Sequence, residues 1–240
     1  MVHKTALIDP SATIGANVSI GPYSFVGKNV SIGDNTNVMA FSTIEADAKI
    51  GSDVTIYPHV VIYNGSLIHN NVHIYPHSVI GSNGFGYATD AIGVHHFIPQ
   101  IGIAILHEGS HFGPSSFIDR AALDTSCVGK GSHIGAFSHI AHNSKVGDNA
   151  RVYNDLIVAG STKIGDNFKT SGISAVTGHI DVTDNVRLEA HSGVNNSEKN
   201  PGHYQGFPHE PVETFRERLE NIKELYNLRK KVLRLKGFNK

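Results

Sequence analysis

From Ile8 to Ile80 the chain places an aliphatic residue at every sixth position: Ile8, Ile14, Ile20, Val26, Ile32, Val38, Ile44, Ile50, Ile56, Ile62, Ile68, Ile74 and Ile80. The residue two places earlier tends to be small, as in Ala12, Ser24, Thr36, Ser42 and Ser78, and the residue after is often glycine, as in Gly15, Gly21 and Gly33. A period of six fits neither an amphipathic helix nor an alternating strand. It fits a parallel β-helix in which each hexapeptide forms one short side of a coil and about 18 residues complete a triangular turn. One coil cannot bury its own aliphatic row, so the pattern predicts stacked coils with inward columns rising at about 4.8 Å per rung.

The row breaks after Ile80, restarts at Leu106, Phe112 and Ile118, is offset by four residues, and then runs from Val128 to Val194. Two insertions therefore interrupt one solenoid. The first, near residues 82–100, holds Gly-Ser-Asn-Gly-Phe-Gly-Tyr-Ala, His95, His96 and Pro99, a composition that cannot continue a coil. The second, within residues 119–127, contains Asp119, Arg120 and Asp124 and is likewise expected to leave the wall. Loops on a rigid scaffold commonly carry function.

The 240 residues suffice for one such solenoid, expected over residues 1–200, followed by a linker and helical tail over 201–240. A single cysteine, Cys127, excludes an internal disulfide. No apolar run reaches the roughly 20 residues of a membrane span, and no secretory signal precedes the repeat, so no transmembrane segment and a cytoplasmic location are expected. Net charge is −1, yet residues 212–240 carry nine Lys or Arg against four Glu. Phe215, Leu219, Ile222, Tyr226 and Leu233 recur there at helical spacings, which predicts one or two amphipathic helices that pack on neighbours, with a basic side. Nucleic acid is excluded as a partner by the near-neutral chain and the lack of any nucleic-acid motif; an acidic protein or anionic surface suits the tail better.

Of the sixteen histidines, most fall at outward positions of the repeat. His139 and His142, in Ser-His-Ile-Ala-His-Asn, differ: His142 lies two residues after inward Ile140, and the positions one and two coils further on are Gly160 and Gly178. A neutral imidazole takes a proton from an amine or hydroxyl near pH 7, its unperturbed pKa being about 6.5. The side-chain-free strip beside it leaves room for a long thin substrate and for a backbone N–H, such as that of Gly160, to face a developing oxyanion. His179, two coils on, is too distant for a direct triad but is placed to touch an extended substrate.

The ordered set Ile80–Ala88, Ile98-Pro99-Gln100-Ile101-Gly102, Ile118–Asp124, Ile140-Ala141-His142-Asn143, Ala159-Gly160-Ser161 and Gly178-His179 resembles the UDP-3-O-acylglucosamine N-acyltransferases of lipid A biosynthesis. The resemblance runs from the first coil to the tail and is far more specific than the hexapeptide repeat. It implies a homotrimeric left-handed β-helix that moves a 3-hydroxyacyl chain from acyl carrier protein to the 2-amine of a UDP-linked amino sugar. It implies no permanently bound cofactor or metal, the phosphopantetheine of acyl carrier protein being the acyl donor. On matching positions His142 is the expected general base and Gly160 the oxyanion donor. His179, Asn83, Phe85, Tyr87, Gln100, Asp124 and His139 are expected to bind substrate, and Arg216, Arg218 and Lys223 to contact the carrier.

The chain departs from that pattern in places. It enters its first coil by residue 8, where family members usually carry a preceding uridine-binding domain. Asn83 stands in place of an aspartate, Ala121 in place of a glycine, and Tyr153-Asn154-Asp155 in place of a small, glycine-rich stretch. An acetyl-coenzyme A dependent nucleotide-sugar acetyltransferase, or a non-catalytic paralogue, is the alternative on the same scaffold.

Overall fold

The computed structural model describes residues 1–235. Two-residue strands recur every six residues and pair in parallel with the strand one coil on, in three walls of ten, nine and eleven strands. The first wall stacks Ile8, Val26, Ile44, Ile62, Ile80, Ile118, Ile140, Val158, Val176 and Val194. The second begins Ile14, Ile32 and Ile50, and the third begins Ile20, Val38 and Ile56. From Val18 onward these columns are buried and form one continuous core. The expected parallel solenoid, its register and its helical tail are all present.

Corners explain the rest of the repeat. Several buried Ser or Thr residues two places before an inward residue donate the hydroxyl to a carbonyl fifteen residues on, as in Ser24 to Met39 (2.8 Å), Ser42 to Tyr57 (2.9 Å) and Ser144 to Ala159 (2.8 Å), whereas Ser66 and Ser110 find no partner. The small residues therefore satisfy turn carbonyls that would otherwise be buried without a partner. Corners also require a positive φ, supplied mostly by Asn, Asp and Gly. At one corner bulkier residues take it, and there contacts compensate: Tyr23, Phe41, His59 and His77 stack at 5.3, 5.0 and 4.9 Å.

Both insertions leave from the corner between the first and second walls, and neither disturbs the register above it. Ile68 pairs with Leu106, a detour of 20 residues, and Leu106 with Val128, a detour of four. The first insertion folds into an antiparallel hairpin, Tyr87–Thr89 against His95–Phe97. The second departs less than the sequence suggests. Asp119 stays in the strand Phe117–Asp119, Arg120 and Ala121 are buried, and Thr125–Val128 is already back in the second wall. Only the segment around Leu123 and Asp124 projects.

The third wall runs past residue 200: Gly202–Gln205 pairs in parallel with Val186–Leu188, and Glu210–Pro211 then pairs with it antiparallel. The helix α1, Val212–Leu235, follows, with Val212 its only buried residue. The apolar stripe expected to pack, Leu219, Ile222 and Tyr226 among it, is exposed in the single chain. No helix among the described residues is long and apolar enough to cross a membrane.

Candidate active site

The corner that carries both insertions also carries His142. Its imidazole lies between two glycines: a β-carbon on Gly84 of the first insertion would stand 2.5 Å from His142 Cβ, and one on Gly160 would stand 2.7 Å from Nε2. The ring is half-buried, and its Nδ1 is buried without a hydrogen-bond partner. The next residue, Asn143 (φ 60°), accepts the Ala122 N–H on Oδ1 at 2.5 Å and donates its own N–H to Ser126 Oγ at 2.8 Å. This ties the second insertion to the same corner.

Above His142 the register places Gly160 and Gly178 in one column, as the spacing predicts. Gly178 has a consequence that the sequence reading missed. At other corners the N–H of the equivalent residue is capped by an Asp or Asn 18 residues further on: Lys130 by Asp148 (2.7 Å), Asp148 by Asp166 (2.8 Å), Asp166 by Asp184 (2.8 Å) and Ala136 by Asn154 (3.0 Å). Glycine at 178 offers no cap. Among the described residues nothing accepts the Gly160 N–H, while its carbonyl accepts from His179 at 3.1 Å. A free backbone N–H beside an imidazole Nε2 is the pairing that acyl transfer uses, one group to take a proton and the other to meet an oxyanion.

The other expected site residues divide. His139 points from the first wall, and its Nε2 lies 2.9 Å from Asp119 Oδ2, whose other oxygen accepts the Ser82 hydroxyl at 2.9 Å. Asp119 is only 6% exposed, so this bond fixes His139 from one side. Sequence spacing gave no sign of the pairing, because the insertion between the two residues hides that they sit on adjacent coils. Asn83 is exposed on the loop root. Phe85 and Tyr87 pack at 4.9 Å and line, with Thr89 and His95, an apolar cleft of about 390 Å³ on the hairpin. Gln100 is buried against Gly86, donates to the Ile98 carbonyl at 2.9 Å and keeps Oε1 unpartnered.

Asp124 faces the second wall instead, in an exposed pair with Lys145 at 2.8 Å that lowers its pKa by hydrogen bonding and charge. His179 is exposed at the corner two coils above His142 (φ 59°). On α1, Arg216 and Lys223 are exposed, whereas Arg218 lies 2.7 Å from Glu210 and 5.2 Å above the Phe215 ring. Arg218 is the least free of the three.

These features define a class: a hexapeptide-repeat β-helix with a histidine site at an insertion-bearing corner. Comparison with known proteins agrees on the fold. Solved structures of an Arabidopsis UDP-N-acetylglucosamine acyltransferase (TM-score 0.78, 22% identity, covering 91% of this chain and 77% of that one) and a Moraxella catarrhalis UDP-N-acetylglucosamine O-acyltransferase (0.68, 23%, 95% and 83%) share the fold. The solenoid is thus a left-handed parallel β-helix with a C-terminal helix. A family model for the GMPPB C-terminal domain matches residues 1–83.

Within that class, the resemblance to UDP-3-O-acylglucosamine N-acyltransferases is borne out. The protein of that name from Methylococcus capsulatus is 30% identical over 161 residues, 67% of this chain and 45% of the relative. The one from Desulfotalea psychrophila is 37% identical over 82 residues, 34% and 24% respectively. The chain therefore spans less than half the length of these curated relatives.

Proposed function

We propose that the protein is an acyltransferase of lipid A biosynthesis. It moves a 3-hydroxyacyl chain from acyl carrier protein to the 2-amine of UDP-3-O-acylglucosamine or a related amino sugar. The observation that carries this reading is the His142 Nε2 beside the uncapped Gly160 N–H, at the foot of a strip free of side chains.

His142 accepts the proton of the attacking amine through Nε2. The nitrogen attacks the thioester carbon, and the carbonyl oxygen, now negatively charged, takes the Gly160 N–H. Collapse expels the phosphopantetheine thiolate and leaves an amide, and the proton held by His142 returns to the sulfur. The leaving group is thus neutralised by the same imidazole that activated the nucleophile. His139, held by Asp119, and exposed His179 bind the sugar nucleotide along the corner. Phe85 and Tyr87 offer an apolar cleft suited to an acyl chain. Arg216 and Lys223, with Arg218 behind them, meet the acidic surface of the carrier.

The working unit is a homotrimer in the cytoplasm. Its contact face is the first wall, whose outward column carries Leu7, Phe25, Val61, Val79, Phe117 and Ile157, an apolar stripe that favours association.

Mass spectrometry after incubation with 3-hydroxyacyl carrier protein and UDP-3-O-acylglucosamine tests the reaction. An N-acylated product from wild type and none from His142→Ala is the expected result. No product from wild type, with carrier still binding, overturns the acceptor assignment.

A further inference from the structure

The structure assigns Gly84 and Arg120 as positioning residues for the base: the root of the first insertion is a seat for His142, and a buried arginine from the second insertion locks that seat. This rests on the proposed role of His142. Gly84 is buried directly against the His142 side chain, where even one methyl group would stand 2.5 Å from Cβ and 2.8 Å from Cγ. With Gly160 close on the Nε2 side, the ring is held between two backbones rather than by a hydrogen bond, since Nδ1 has no partner. Many histidine bases are oriented by a carboxylate on the second nitrogen. Here steric confinement takes that part.

A seat works only if the loop that carries it is fixed. Arg120, 7% exposed, donates Nε–H to the Gly81 carbonyl (2.8 Å) and Nη2–H to both the carbonyl (2.8 Å) and the side-chain oxygen (2.9 Å) of Asn64. It pins the chain three residues before Gly84 to a neighbouring coil. On the return side, Ile101 and Gly102 donate their N–H groups to Ala122 (3.0 Å) and Ala121 (2.9 Å). Both ends of the first insertion are thus fastened to the second, which Asn143 fastens to the His142 corner. Burial depresses the Arg120 pKa from its ordinary value, but a guanidinium remains charged, and its fork spans two carbonyls that a lysine would reach only singly.

The test is the rate at which diethyl pyrocarbonate modifies His142, read by peptide mass spectrometry against exposed His95 as an internal reference, in Gly84→Ala and Arg120→Lys. Pushing the ring off its seat exposes Nδ1, so at least threefold faster labelling of His142 is expected in both, with kcat at least tenfold lower and KM within twofold. Thermal melting establishes that each variant is folded before labelling. If Gly84→Ala does not fold, Arg120→Lys, which adds no atom beside the ring, decides. Unchanged His142 labelling in a folded variant overturns the assignment. Labelling does not depend on turnover, so faster labelling in the variants of a protein whose wild type transfers no acyl group overturns the proposed reaction and leaves the seat standing.

Discussion

Replacing Gly178 with asparagine should silence the proposed oxyanion donor with His142 and Gly160 themselves unsubstituted. At six other corners an Asp or Asn side chain 18 residues on accepts the equivalent N–H at 2.7–3.0 Å, so an asparagine at 178 stands where it caps the Gly160 N–H. The site accommodates a side chain with a small shift: a β-carbon at 178 meets the Gly160 oxygen at 3.0 Å and the Ala159 methyl at 3.7 Å, and the backbone there is not left-handed. Loss of one oxyanion donor costs about 10²–10³ in kcat, or about 2.7–4 kcal/mol. The new cap contributes about 0.5–1.5 kcal/mol to the fold, and removing a glycine from the unfolded chain adds about 0.4–1 kcal/mol. The variant is therefore expected to melt no lower than wild type while losing two to three decades of turnover. Steady-state kinetics with the carrier thioester and a thermal melt measure both. Gly178→Leu, close to asparagine in bulk but without an acceptor, separates capping from obstruction and should keep at least tenfold more kcat than Gly178→Asn. Equal kcat in the two would refute the reasoning.

Further substitutions probe the scaffold and the partners. Gly160→Leu places a side chain against His142 Nε2 and should abolish transfer; wild-type turnover in a folded variant would count against the site. Ile44 is wholly buried in the first column, so Ile44→Asp introduces an unpaired interior charge and should unfold or aggregate the protein, seen as loss of the melting transition. Charge reversal at Arg216 and Lys223 should raise the KM for carrier protein several-fold and weaken its salt dependence with kcat unchanged. Burial and neighbouring imidazoles, His69 for His107 and His133 and His73 for His111, hold these two histidines below their ordinary pKa. The unfolded chain thus binds the extra protons, so their contribution is fully present above about pH 6.5 and is lost as pH falls through the folded values. The melting temperature should drop between pH 8 and pH 5, and His111→Gln should remove part of that drop.

The solenoid was legible because one physical demand, burying an aliphatic residue on each short side, repeats unchanged along the chain. Three-wall register followed from counting, and so did the Gly160 and Gly178 column above His142. Irregular segments obey no such count. Arg120 and Asp119 read as loop residues, yet one is buried against two carbonyls and the other bonds His139 across a coil boundary that the four-residue insertion obscures. Gly84 read only as part of a stretch that cannot continue a coil, although what selects glycine there is the imidazole of a residue 58 positions away. The tail was read as packing its apolar stripe on neighbours, and within one chain that stripe stays uncovered.

The antiparallel strand Glu210–Pro211 settles how the ladder stops. A parallel solenoid presents its last rung as a ready template, and any chain with a matching hexapeptide edge adds to it as readily as another coil would. Here the final rung is covered by its own chain running backwards, in a strand that ends on a proline with no N–H to donate. Tyr204 beneath it donates its hydroxyl to Asn200, its phenol pushed up to about 12 by burial and by Glu198. On the third wall the reversal works as a polymerisation stop: that wall ends without a parallel growing edge, which disfavours end-to-end stacking of solenoids there.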